Sequence, residues 1–271
     1  ADYLIIAPAE LQPGAEALAA YRSARFQTQV VLLQDIYDEF NAGRADAAAI
    51  QDFLNTVQSW QQRPQYVVLV GKGTLDPRNY LGLGTNRLPV MLAPTPDGLY
   101  QADGLYADVQ GNDGIPDYAL GRIPAQTNAE VQVYVSKLMA FETATAQSPK
   151  ALLVADNADT AGNFPQDSST LAGLLPSVTV TTVHHDAVTP ATTTRQAILT
   201  ALNGGVSLFN YLGHGSPSQF ADEGLLRSSD VTSLNNSHLP VFGAFSCYLG
   251  YGSIPGLNSL ADDLTLKGSG G

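Results

Sequence analysis

Short apolar runs alternate with stretches of helical spacing along most of the chain, and few architectures accommodate that rhythm. YLIIAP (3–8) and TQVVLLQ (28–34) read as strands, and QYVVLVG (65–71) is a continuous apolar run ending in Gly. Strands of a central parallel sheet read this way, because both of their faces are covered. Between them, GAEALAAYRSARF (14–26) and RADAAAIQDFLNTVQSW (44–60) space their apolar residues as amphipathic helices do. After a loop-rich stretch at 72–117, YALGRIP (118–124) reads as a strand and TNAEVQVYVSKLMAFE (127–142) as a helix. Thr127 and Glu130 have the spacing of a capping box. The second half repeats the pattern. ALLVAD (151–156), SVTVTTVHH (177–185), VSLFNYLGHG (206–215) and LPVFGAFSC (239–247) are strands. SSTLAGLLP (168–176), residues 189–205 and LNSLADDLTLK (257–267) are helices, with Thr189 capping the second and Pro190 at its first position. Such alternation implies an α/β fold with mostly parallel sheets covered on both faces. The small, polar TATAQSPK (143–150) divides it into two α/β subdomains, 1–146 and 147–271.

Charge and cysteine content narrow the function. The 271 residues carry a formal net charge of −12 with only 13 Lys plus Arg. A nucleic-acid ligand needs a cationic face, so that class is excluded, while cationic substrates would be attracted. No apolar run has the length of a membrane span. Cys247 is the single cysteine, which rules out an intrachain disulfide and any multi-cysteine zinc site. No phosphate-binding glycine loop and no HExxH helix is present. The low charged fraction and the abundance of small polar residues point to an extracellular or cell-surface bacterial protein.

Three residues of complementary chemistry fall at predicted strand ends: Asp156, His214 and Cys247. Ligands of open α/β sheets bind at the carboxyl ends of strands. A cysteine nucleophile reacts as the thiolate, and an imidazole beside it supplies the ion pair. The imidazole in turn needs an orienting partner, often a carboxylate. Acyl transfer also needs donors for the developing oxyanion, and the main-chain N–H groups of Gly215 and Cys247 are the candidates. Glycine after His214 allows close approach of a substrate carbonyl. The other reading of Cys247 is a buried small hydrophobe, with Gly-His-Gly a plain turn. His184 and His185 lie inside a strand, so at least one faces solvent, and His238 lies in a loop; all three are read as structural.

The pair YLGHGS and FGAFSC, with Cys247 33 residues after His214, resembles the gingipain family of cysteine peptidases, peptidase family C25, whose catalytic fold is caspase-like. VVLVGKGTLDPRNY (67–80), GNDGIPDYALGRIP (111–124), LLVADN (152–157) and NGGVSLFNYLGHG (203–215) look like segments of that family in the same order, so the resemblance spans residues 1 to 266. It implies a caspase-like three-layer αβα fold and a thiol endopeptidase acting on a protein or peptide substrate. Cys247 is then the nucleophile, His214 the base and Asp156 the acid that orients it. The familiar gingipains have Glu there; Asp156 is one methylene shorter, which implies a looser or water-mediated contact. Asp167 falls where the arginine-specific gingipains keep an acid at the base of the S1 pocket, which implies cleavage after Arg or Lys. Asp167 also reads equally well as the cap of the helix that follows it.

Two departures stand out: Lys72 where the family often has Asp, and Ser246 where many members have Ala. The resemblance also implies one or two further strands beyond helix 257–266. Either a longer chain or a separate small C-terminal chain, left by proteolytic processing near KGSGG, supplies them. The chemistry requires no cofactor, but the resemblance implies structural Ca²⁺. DGLYADVQGNDGIPD (103–117) is its candidate loop, with Asp108, Asp113 and Asp117 as ligands beside Asp103 and Asn112; turn chemistry explains the same residues. Two rival functions share the fold: a transpeptidase or sorting enzyme using the same acyl-enzyme, and a non-catalytic surface binding module.

Overall fold

The computed structural model describes residues 1–96, 98–111, 113–144, 148–268 and 270. They form two compact units. One holds residues 1–135 and 251–257, the other 136–250 and 258–271. The polar stretch read as the divide includes residues 145–147, which lie outside the described residues, as does Asn112.

The first unit is built on a four-stranded parallel sheet. Strands β1 (Tyr3–Ala7), β2 (Thr28–Leu32) and β3 (Tyr66–Val70) match the apolar runs. A small antiparallel hairpin follows, of β4 (Leu92–Thr95) and β5 (Gly98–Gln101), and then β6 (Ala119–Ile123). The sheet order is β2-β1-β3-β6. Because side chains alternate along a strand, Leu4 and Ile6 face one side. They pack there with Ile36, Tyr37, Ile50, Phe53 and Leu54 from helices α2 (Leu33–Asn41) and α3 (Ala47–Thr56). Helix α1 (Gln12–Arg22) packs beside β1 and β2 and buries Ala15 and Leu18. Gly14 lets it approach the start of helix α4 (Asn128–Thr143) closely, since a Cβ at Gly14 would lie 2.7 Å from Val131. Thr127 and Glu130 form the anticipated box: the Thr127 N–H donates to Glu130 Oε2 at 3.0 Å and the Glu130 N–H to Thr127 Oγ1 at 3.3 Å.

Helix α2 is absent from the sequence reading. TQVVLLQ reads as strand to its end, yet the chain turns helical at Leu33, because Leu33, Ile36 and Tyr37 together give the sheet a buried helical stripe. The helix stops at Ala42, which takes a left-handed conformation (φ 50°, ψ 43°) to close the end with its N–H on the Tyr37 carbonyl. That geometry favours glycine.

The second unit has its own four-stranded parallel sheet, ordered β13-β9-β7-β8. Its strands are β7 (Lys150–Ala155), β8 (Thr179–His184), β9 (Leu208–Leu212) and β13 (Val241–Phe245). Between β9 and β13 lie three two-residue strands, β10 (Gly215–Ser216), β11 (Gln219–Phe220) and β12 (Leu226–Arg227), paired as an antiparallel set. Leu152, Val154, Phe209 and Tyr211 make one core. They pack with Ile198 and Leu202 of helix α6 (Ala191–Asn203), with Phe220 and Leu225, and with Leu260 and Leu264 of helix α7 (Leu260–Leu266). Helix α5 (Phe164–Gly173) packs beside β7, β8 and β9.

Two local readings need correction. The residue preceding α6 as its cap is Pro190, not Thr189, and it supplies no side-chain cap. Neither strand histidine faces open solvent: His184 Nε2 meets Ser168 Oγ at 3.1 Å, and the buried His185 Nδ1 meets Thr194 Oγ1 at 3.0 Å. Consecutive residues of one strand point to opposite faces, and here each face carries a helix whose hydroxyl partners a ring nitrogen.

Replacing the exposed Ala42 by Gly removes the left-handed penalty at the end of α2. Ala42→Gly is expected to raise unfolding free energy by about 0.5–1 kcal/mol, read as a higher urea midpoint at unchanged m-value; a lower midpoint contradicts this reading of the helix end.

Candidate active site

The parallel register of the second sheet sets three strand ends level. Leu212 of β9 pairs with Ala155 of β7 on one side and with Phe245 of β13 on the other. Asp156 is one residue past its strand, His214 two past and Cys247 two past. The structure therefore brings these residues to one carboxyl edge of one sheet.

His214 is held by its main chain before its ring is considered. Its N–H donates to Asp156 Oδ2 at 3.2 Å. Its carbonyl accepts from the Tyr211 hydroxyl at 2.6 Å and from the Ala221 N–H at 2.8 Å. Tyr211 is buried and stacked on Phe220, with ring centroids 4.0 Å apart. Burial pushes its phenol pKa far up, so the hydroxyl stays a donor. Asp156 is buried too, and burial raises its carboxyl pKa against the lowering pull of N–H bonds from Asn157 and His214.

The glycines flanking His214 answer to packing. A Cβ on Gly213 (φ 153°) would strike the Asp156 Cβ and lie 2.6 Å from the Tyr211 hydroxyl. A Cβ on Gly215 would strike Ser246 Oγ and lie 2.9 Å from the Cys247 carbonyl oxygen and 3.2 Å from Leu249. Gly215 thus rests directly against the peptide that carries the thiol. Cys247 itself is free and exposed, which sets aside the buried-hydrophobe reading. Tyr248 after it (φ 60°) and Ala221 beside His214 (φ 53°) are two of the four non-glycine residues with positive φ among the described residues. Strain of this kind costs about 1–3 kcal/mol per residue and collects where function fixes the backbone.

The ring of His214 has a partner that sequence reasoning missed. Nε2 lies 2.8 Å from Asp159 Oδ2, and the ring meets the Phe164 ring edge-on at 5.4 Å. The acid expected on the ring, Asp156, holds the main chain instead. Its short side chain, sited against Gly213, spends its oxygens on the His214 and Asn157 amides. The hydrogen bond that Asp159 accepts is the largest influence raising the His214 pKa; desolvation opposes it, and the charges of Asp159, Asp156 and Asp222 aid it. The only sequence signal for Asp159 is an acid in a short Gly-containing loop after a strand, which ordinary turns share.

Asp167 lies exposed in the first turn of α5, three residues beyond Phe164. It does not cap the helix. Asn163 does, accepting the Gln166 N–H at 3.2 Å. In the first unit, Asp108, Asp113 and Asp117 accept from the amides of Gly114, Ile115 and both Val109 and Gln110, respectively. Asp103 pairs with Arg122 through two hydrogen bonds. Among the described residues no three His, Cys, Asp or Glu side chains are gathered to hold a metal, while Asp108 Oδ1 is buried without a hydrogen-bond partner. Lys72 is buried in that unit and donates from Nζ to the Leu257 carbonyl at 2.7 Å.

Because Gly213 packs against Asp156 and Tyr211, Gly213→Ala is expected to lower unfolding free energy by about 2–3 kcal/mol. Gly121→Ala in β6, where an added Cβ meets nothing within 4 Å, should move it by no more than about 0.5 kcal/mol. Urea unfolding of both variants checks this, and equal shifts would count against the packing argument.

The chain has relatives among known proteins. Gingipain R2 of Porphyromonas gingivalis is 24% identical over 263 residues, covering 91% of this chain and 32% of that protein. Gingipain R1 of the same species is 25% identical over 239 residues, 83% of this chain and 21% of the relative. This chain thus spans about a third or less of the length of the curated relatives it matches. Among solved structures, the Arg-specific cysteine proteinase gingipain R superposes with a TM-score of 0.77 at 22% identity, over 98% of this chain and 59% of that one. The complex of the pro- and mature domains of the Porphyromonas gingivalis protease gives 0.78 at 22% identity, over 98% and 60%. Those likenesses establish a caspase-like three-layer α/β fold. The family model for peptidase family C25 matches residues 1–271, and the chain belongs to that family of cysteine-type peptidases.

Proposed function

We propose that this chain forms the catalytic part of a gingipain-like cysteine endopeptidase, with Cys247 as nucleophile, His214 as base and Asp156 as the acid that fixes His214. The observation that carries the reading is the level ends of β7, β9 and β13, with Gly215 seated against the Cys247 peptide. The Cys247 thiol gives its proton to His214 and the sulfur attacks the scissile carbonyl carbon. The carbonyl π electrons move to oxygen, where the N–H groups of Gly215 and Cys247 are suited to receive them. Collapse breaks the C–N bond as His214 returns the proton to the leaving amine. Water, deprotonated by His214, then attacks the thioester carbon; the carbon–sulfur bond breaks, the acid is released and His214 returns the proton to the sulfur.

The substrate is a protein or peptide, with Arg or Lys before the scissile bond. Gingipain R is Arg-specific. In this chain Asp167 stands exposed one helical turn past Phe164, which touches His214. The acidic surroundings of His214, including Asp159 and Asp222, favour a cationic side chain. No helix among the described residues is long and apolar enough to cross a membrane. The acidic composition suits action outside the bacterial cell or at its surface.

A positional-scanning fluorogenic peptide library on the full-length protein tests the reading. Cleavage after Arg or Lys is expected, and Cys247→Ala should abolish it. Asp167→Asn should cut kcat/KM on those substrates by about 10- to 100-fold, the worth of a charge-assisted hydrogen bond. Cleavage that persists in Cys247→Ala contradicts the nucleophile, and unchanged Arg and Lys preference in Asp167→Asn contradicts the pocket acid.

A further inference from the structure

Asp159 belongs to a loop built to receive an imidazole. Its N–H donates to the Gly162 carbonyl at 3.0 Å, and its Oδ1 accepts the Ala161 N–H at 2.7 Å and the Gly162 N–H at 3.4 Å. These bonds lock the carboxylate within its own turn and leave Oδ2 pointing at His214 Nε2, 2.8 Å away. Phe164, the first residue of α5, closes the same loop and stands against the ring at an interplanar angle of 82°. Asp156 has no such freedom. It is buried, its Cβ lies where Gly213 admits no side chain, and its oxygens hold the amides of His214 and Asn157 at 3.2 and 2.9 Å.

We infer that Asp159 is the residue that positions the His214 ring, with Phe164 as a side wall, and that the pair presents Nδ1 to Cys247. The inference rests on the peptidase reading for its last clause only. An ionised carboxylate accepts and does not donate, so the nitrogen facing Asp159 carries hydrogen. In neutral imidazole the lone pair is then on Nδ1. That nitrogen takes the thiol proton as the sulfur–carbon bond forms, and returns it to the leaving amine as the carbon–nitrogen bond breaks. Asp159 stays ionised throughout and steadies the imidazolium that forms between the two transfers. Asp156 and Asp159 thus divide one task, the first fixing the main chain of His214 and the second its ring.

The acids that face the ring are Asp159 and Asp156 from the loop after β7 and Asp222 from the turn after β11; α5 contributes the uncharged Phe164. Removing the nearest negative charge lowers the pKa of the imidazolium. The alkaline limb of kcat/KM, which reports loss of that imidazolium, should then move to lower pH. A purely structural Asp159 would lower the rate without moving the limb.

The test is ¹⁵N-histidine NMR on the full-length protein with kinetics on the same samples. Wild type is expected to show neutral His214 as the Nε2–H tautomer. Asp159→Asn should lose that preference, shift the alkaline limb acidward and lower kcat by about 100-fold with KM little changed. Asp159→Glu should restore the limb and recover kcat to within about tenfold. Asp156→Asn should keep the Nε2–H tautomer. The inference is overturned if Asp159→Asn leaves tautomer and limb in place, or if Asp156→Asn is the variant that switches them. The tautomer needs no turnover to be read. A protein with no Cys247-dependent cleavage would therefore refute the peptidase reading while still deciding the Asp159–His214 pairing.

Discussion

Hydrogen bonding across β13, β9 and β7 fixes where Asp156, His214 and Cys247 stand. Parallel pairing leaves no slack in register, because a slip of one residue turns each side chain to the opposite face. With Ala155, Leu212 and Phe245 level, the next one or two residues of three separate chain segments must share one edge. The apolar side chains of Leu152, Val154, Phe209 and Tyr211 pin that register, since any shift would drive them from the core shared with α6 and α7. The cost of ordering a cysteine, a histidine and two acids is thereby carried largely by a sheet that would form in any case.

Beyond the strand ends, precision comes from close packing of main chain, where glycine is required. Gly213 and Gly215 allow His214 to sit between Asp156 on one side and the Cys247 peptide on the other. Buried donors and acceptors then fix its N–H and carbonyl, and an exposed loop fixes its ring. This layering separates two demands. The main chain of His214 is anchored in the low-dielectric interior, where an unpaired group is expensive. The ring and its proton remain half exposed, beside a carboxylate that solvent partly screens. Strained backbone at Ala221 and Tyr248 borders the same place, and the sheet beneath supplies the stability that offsets it.

Much of this was legible in the sequence because period and composition report burial directly. The strands at 3–7 and 66–70 fall within continuous apolar runs, those at 150–155 and 208–212 are apolar but for Lys150 and Asn210, and the Thr127–Glu130 box marks its helix. Helix α2 was hidden because Leu32-Leu33 continues an apolar run whichever way the chain turns, and only tertiary packing of Ile36 and Tyr37 decides. The edge position of Asp156, His214 and Cys247 followed from strand ends. What each acid would touch did not, since it depends on side-chain length and loop shape. Asp156 is short and buried and takes an amide; Asp159, three residues on, reaches the ring. Asp108, Asp113 and Asp117 carried the composition of a metal loop, and one oxygen of each accepts from turn amides while Asp108 Oδ1 is buried without a partner. Spacing alone does not distinguish those outcomes.

The alkylation rate of Cys247 by iodoacetamide, measured against pH in wild type and His214→Ala, addresses the coupling of these strand ends most directly. A free thiol loses its reactivity as pH falls below about 8.5. Pairing with His214 should keep Cys247 reactive well below that value, and His214→Ala should return the profile to that of free cysteine. A wild-type profile identical to free cysteine, unchanged in His214→Ala, would contradict a catalytic pair at this edge.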